Sequence, residues 1–176
     1  MRSIDLTTGS PTKKIIAFSI PIFIGNLFQQ IYSVSDMFVV GRFLGKDALA
    51  AVGACSAVII FLTSIIIGLC MGSGVYFSDL YGGKDYDKLS CAIPASFVFI
   101  FTLTMGIMAA TIVFINPLMR LFNIPNEVIG LARTYLLITI SGMPFALLYN
   151  MATVILRAFG DSKTPLIALI TASTIN

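Results

Sequence analysis

The sequence contains no histidine and no tryptophan, and only 11% of its 176 residues are charged. The missing imidazole excludes histidine-based acid–base catalysis and histidine metal ligation within these residues. The scarcity of charge says more. A soluble domain is about a quarter charged, so this chain cannot cover a globule with polar groups and its surface must face lipid. The net charge of +3 is small and scattered along the chain, which excludes a nucleic-acid-binding footprint. Cysteine is rare as well. Cys55, Cys70 and Cys91 have no CxxC spacing and are read as small buried hydrophobes. No secretory signal is evident, because the first apolar run is too long for one and no small-residue cleavage site follows it. Also absent are a Gly-rich phosphate loop after a strand, a nucleophile elbow and paired carboxylates on one helix face. GLCMGSG, at 68–74, lies inside an apolar run and is a poor phosphate loop. An enzyme is not expected, and neither is a bound cofactor.

What is present is hydrophobicity: 57% of the residues are apolar and the mean hydropathy is +0.97. A membrane-crossing helix needs about 20 mostly apolar residues. Residues 15–40, 49–76, 91–115 and 128–156 each meet that length. A fifth run, 165–176, does not, and LIALITASTIN shows no cap or charged flank, as if cut within a helix. The fold class is therefore an all-α integral membrane protein with four full transmembrane helices and a partial fifth. Residues 41–47, 82–90, 116–127 and 157–164 are expected as short polar connections. Basic residues set the orientation. Arg2, Lys13, Lys14, Lys84, Lys88, Arg157 and Lys163 fall on one side; Arg42, Lys46 and Arg120 fall on the other, with Arg133 inside the fourth helix. The amino terminus is thus expected in the cytoplasm.

The first helix is sided. At 100° per residue, Asn26, Gln29, Gln30, Ser33 and Asp36 form one polar stripe about 120° wide. Ile24, Leu27, Ile31, Val34 and Phe38 form an apolar face suited to lipid or a neighbouring helix. Polar side chains within a membrane face the bundle interior or a wet cavity. Two placements stay open for Asp36: a cavity, or the headgroup layer, since Gly41 is only about 7–8 Å further along the helix. Pro21 interrupts the hydrogen-bond ladder of the same helix and is a candidate hinge. In the second run Gly53, Ser56, Ser64, Gly68, Gly72, Ser73 and Gly74 are read as close-packing positions. Asp79 is placed at the interface. Gly142 and Pro144 suggest a bend in the fourth run, and Asn150 suits either a cavity or a neighbouring helix.

Two stretches carry a family resemblance. GNLFQQIYSVSDMFVVGRFLGKDALAAVG, residues 25–53, resembles the opening of multidrug and toxic compound extrusion (MATE) transporters. LRAFGDSKTPLIAL, residues 156–169, resembles that family's link between its fourth and fifth helices. GVYFSDLYGGKDYDK is similar to its second-to-third loop, except that Asp79 stands where an uncharged residue is expected. The resemblance implies part of the first six-helix lobe of a twelve-helix exporter of organic cations, driven by inward Na⁺ or H⁺ and sitting in a bacterial inner membrane. It implies that Asp36 takes part in coupling-ion binding, with Asn176 matching a fifth-helix partner, and that Pro21 matches a bending proline. Na⁺ at Asp36 would be the only metal. The implied partners are the bilayer, small organic cations and the remaining helices of the parent. Two other readings stand beside it: a lipid-linked oligosaccharide flippase of the same superfamily, whose cavity should carry several basic residues, and a non-transporting membrane fragment that pairs with another half.

Overall fold

A computed structural model describes residues 11–175. Among the described residues all regular structure is helical: α1 (Pro11–Val39), a π-helical turn (Val40–Leu44), α2 (Gly45–Gly82), α3 (Tyr86–Val113), α4 (Ile115–Leu121), α5 (Ile129–Ser141), α6 (Met143–Ala158) and α7 (Lys163–Ile175). α1, α2 and α3 start before the predicted runs, at Pro11, Gly45 and Tyr86, because polar residues continue the backbone ladder there, whereas α3 ends at Val113, short of the predicted 115. The stretch expected as a loop at 116–127 contains α4 instead.

The connection expected at 41–47 is a π turn closed by Gly45, at φ 88°. Helical backbone continues from Thr12 to Gly82 through this turn, yet the run is not one rod. A Cβ added at Gly41 would meet Leu49 Cδ2 at 3.2 Å. Eight residues of straight α-helix rise about 12 Å, so the chain must fold back between them. A Cβ-free residue suits Gly45, because positive φ is strained for other L residues.

By length and composition, Thr12–Gly82 and Tyr86–Val113 are apolar enough to cross a membrane. Ile129–Ser141 and Met143–Ala158, bent by 42° at their junction, make a third span if read as one. That bend falls at Gly142, with Pro144 in the first turn of α6, where a missing N–H costs nothing. The Gly142/Pro144 break read from the sequence is therefore present. By contrast, α1 runs through Pro21 as a single helix.

The centre of the bundle is α2, which packs on α3, α5 and α6, while α1 packs on α7. Its buried residues recur every three or four positions, from Ala51, Cys55, Val58, Leu62 and Ile66 to Cys70, Gly74, Phe77 and Leu80. This is one face of an α-helix. They meet Ala132, Leu136 and Ile140 of α5 and Met143, Leu147, Met151 and Val154 of α6 in one core. α2 and α6 approach closely at Gly74, where an added Cβ would lie 2.9 Å from Val154 Cβ. Gly53, Gly68 and Gly72, expected to pack closely, have open space at the Cβ position. They point away from the neighbours that Gly74 touches. Cys55 and Cys70 are buried, as expected, but Cys91 is exposed. It lies in the second turn of α3, on the side away from the core.

Three helices end in the same way. Asp85 N donates to Leu80 O and Lys84 N to Tyr81 O; Ile124 N donates to Met119 O and Asn123 N to Arg120 O; Asp161 N donates to Leu156 O and Gly160 N to Arg157 O. These are Schellman closures of α2, α4 and α6. Each has a positive-φ residue at its corner: Lys84, Asn123 and Gly160. After α2 and α6 the next helix starts on a capping aspartate, whereas α5 starts at Val128 with no side-chain cap. Asp85 accepts from Lys88 N, and the Lys88 ammonium, 2.7 Å from its Oδ2, holds its carboxyl below the usual carboxylate range.

Asp161 caps α7. It accepts from the Thr164 hydroxyl at 2.5 Å and from Lys163 N and Thr164 N at 3.0 Å each. The Thr164 hydroxyl, then the two amides, hold its carboxyl below the usual range. A depressed folded pKa contributes stability that is full above the unfolded value, about 4, and is lost as pH falls through the folded one. Asp161→Ala should cost about 1 kcal/mol at pH 7. Melting temperatures taken between pH 7 and pH 3 should converge for the two proteins at the acid end; a constant gap would show that the cap does not titrate.

Candidate functional site

The outer surface is apolar. Ile31 is 63% exposed, Val34 67% and Phe38 70%, on the face assigned above to lipid or a neighbouring helix. Hydroxyls on these helices find partners one turn back. Ser33 donates to Gln29 O at 3.0 Å, Ser35 to Ile31 O at 2.9 Å and Thr174 to Ile170 O at 2.7 Å. A donor spent inside the helix needs no water. The hydroxyl oxygen keeps lone pairs free for a cation.

Asp36 lies in a cleft of about 350 Å³ between α1 and α7. Phe28, Ile31, Tyr32, Ser35 and Val39 line it from α1; Ile170, Ser173 and Thr174 line it from α7. The Tyr135 phenol of α5 lies outside this lining but within electrostatic reach of Asp36; the Thr139 hydroxyl donates to the Tyr135 main-chain carbonyl at 2.9 Å. Among its lining residues the cleft gathers the Asp36 carboxylate, the hydroxyls of Ser35, Ser173 and Thr174, and the Tyr32 phenol. Oxygen donors suit a proton or a hard monovalent cation. Among the described residues no group of three His, Cys, Asp or Glu is placed to hold a metal, so the donor set is not that of a transition-metal centre. Asn176, expected beside Asp36, lies outside the described residues.

A second cleft of about 450 Å³ lies among α1, α2, α6 and α7. Pro21, Asn26, Gln29 and Asn150 line it. Asn150 Nδ2 donates to Ala146 O at 2.8 Å. The polar stripe is thereby divided: Asn26 and Gln29 face this cleft, Asp36 faces the other, and Gln30 and Ser33 line neither. Pro144 stands at the α5–α6 bend and lines neither cleft.

The stripe drawn from the sequence missed Tyr32, Ser35, Ser173, Thr174 and Tyr135. On the same helical wheel the first cleft spans about 140° to 280°, with Asp36 at its edge. The available signal was Tyr32, one turn before Asp36 and on its other flank. Tyr135 had no local signal, since only tertiary packing brings α5 near.

A bundle of apolar helices around clefts that hold a few polar side chains is the build of a polytopic membrane transporter. A family model described as MatE matches residues 21–176. The probable multidrug resistance protein YpnP of Bacillus subtilis (strain 168) is 35% identical over 176 residues, covering 100% of this chain and 40% of that protein. The multidrug export protein MepA of Staphylococcus aureus (strain NCTC 8325 / PS 47) is 24% identical over 164 residues, covering 93% of this chain and 36% of that protein. The crystal structure of MATE in the bent conformation superposes with a TM-score of 0.86 at 26% identity, covering 98% of this chain and 39% of that one. A transporter of the MOP superfamily from Pyrococcus furiosus Vc1 gives 0.88 at 26% identity, covering 99% and 39%. The chain belongs to the MatE family. It spans about 40% of the length of the first of these relatives.

Proposed function

We propose that this chain forms part of the first lobe of a multidrug exporter that expels organic cations in exchange for inward Na⁺ or H⁺. The observation that carries this reading is the placement of Asp36, with Ser35, Ser173 and Thr174, in an otherwise apolar cleft between α1 and α7. A carboxylate there attracts a cation. Loading from one side and release to the other couples ion flow to drug efflux, provided that the rest of the parent moves against this lobe. No chemistry on the substrate is required, so no catalytic residue and no cofactor enters. The names of the relatives, multidrug resistance and multidrug export proteins, support the substrate class.

In this reading α1, α2, α3 and the bent α5–α6 pair are four membrane crossings and α7 begins a fifth. The amino terminus is cytoplasmic, in a bacterial inner membrane. Single cysteines at Lys46 and Lys84, in a Cys91→Ser background, should label from opposite sides of the cell membrane. Labelling from one side would defeat the topology. The flippase reading is weaker: among the residues lining the two clefts the only basic side chain is Arg157, not the several that a pyrophosphate needs. The paired-fragment reading is tested with the function itself. The intact parent, expressed in a bacterium stripped of efflux pumps, should lower ethidium accumulation while the membrane ion gradients stand. Unchanged accumulation at normal expression would contradict the proposal.

A further inference from the structure

The second cleft has a charged end that the export reading does not use. Arg157 Nε and Ser162 Oγ are both shut off from solvent, and neither has a hydrogen-bond partner. Ser162 is only 3% exposed, and both residues line this cleft. A buried donor without an acceptor is costly, and a half-buried guanidinium without a counter-charge costs more. No Asp or Glu lines the cleft, and Arg157 has no carboxylate partner among the described residues. The two donors thus ask for the same thing: an anion with oxygen acceptors. The guanidinium fork matches phosphate geometry.

The surroundings say what the anion is attached to. Arg157 also lines a neighbouring groove of about 180 Å³ with Phe18, Met71, Val75 and Ala158. Met71 is 58% exposed and Val75 72%, so the groove opens sideways onto the apolar surface. A free phosphate has no use for an apolar groove, whereas an acyl chain does. Basic pockets between membrane helices take anionic lipid head groups in this manner.

We propose that the Arg157–Ser162 end of the second cleft is a binding site for the phosphate of an anionic lipid, with a chain of that lipid lying in the Phe18–Val75 groove. The lipid is a resident ligand, not cargo. The proposal rests on reading the chain as part of a membrane transporter, but its test reads folding temperature and not transport, so each can fail alone.

The intact parent, purified in neutral detergent, should melt a few degrees higher with phosphatidylglycerol than with phosphatidylcholine at equal concentration. Arg157→Gln should abolish that difference, Ser162→Ala should reduce it, and Arg157→Lys should keep part of it, because a point charge remains without the fork. Inorganic phosphate should give no shift. A phosphatidylglycerol shift that survives Arg157→Gln would overturn the site. Equal stabilisation by inorganic phosphate would overturn the lipid assignment. If Arg157→Gln fails to fold, Arg157→Lys and Ser162→Ala decide; an undiminished shift in both refutes the proposal. A variant that loses the same stability in either lipid would show that Arg157 is matched by a group of the protein itself.

Discussion

Asp36→Asn in the intact parent, at normal expression, should leave ethidium accumulation at the level of cells with no exporter. The substitution keeps the size and the amide-like shape of the side chain but removes both the charge and the titrating proton. Two unit charges 4 Å apart at an effective dielectric of 20 attract by about 4 kcal/mol. That corresponds to nearly a thousandfold in ion affinity, at 1.4 kcal/mol per factor of ten. The surrounding hydroxyls of Ser35, Ser173 and Thr174 cannot replace it, since neutral oxygens solvate an ion without exchanging a proton for it. Asp36→Glu, which keeps the charge on a longer arm, should retain part of the export. Wild-type export by Asp36→Asn would remove the coupling role.

Gly74→Val should sharply reduce the yield of folded protein. The nearest atom to a new Cβ is Val154 Cβ, at 2.9 Å, with Val154 Cγ1 at 3.5 Å. A Cβ is fixed by the backbone, so no rotamer change relieves the contact. Either α2 and α6 separate or both bend. Overpacking by one methyl costs about 1–3 kcal/mol, and valine adds two methyls more, against a total stability of about 5–15 kcal/mol. Val154→Ala should rescue poorly, because it leaves the nearest atom in place. Gly74→Ala paired with Val154→Gly exchanges the large and small partners across the contact and should recover most of the loss. Melting in detergent reads each step; a Gly74→Val protein that melts with the wild type would show that α2 and α6 do not touch there.

How far the sequence reads ahead differs from element to element. The apolar runs and the Gly142/Pro144 bend were visible because length and proline act locally. Which side of α2 is buried was not. A membrane helix is apolar all round, so Gly68 and Gly72 look as suited to packing as Gly74, and only the position of Val154 separates them. The turn at Gly45 was hidden for a related reason: its polar neighbours read as a loop, yet the backbone stays helical through the π turn. On α1 the first cleft meets the polar stripe only at Asp36 and otherwise lies on the flank of Tyr32 and Ser35. That flank is set by α7, whose Ser173 and Thr174 carry no periodic signal of their own. Arg157 and Ser162 sit inside the very motif that suggested the family, and read there as a polar connection. Only the packed structure shows that their donors are buried and unanswered.

In the proposed mechanism Asp36 couples an ion gradient to efflux. The most direct measurement uses proteoliposomes holding the intact parent, with ethidium movement followed while an H⁺ or a Na⁺ gradient is imposed in turn. The predicted result is flux driven by at least one gradient, lost on adding the matching ionophore and absent in Asp36→Asn. Flux indifferent to both gradients, or flux at the wild-type rate in Asp36→Asn, would contradict it.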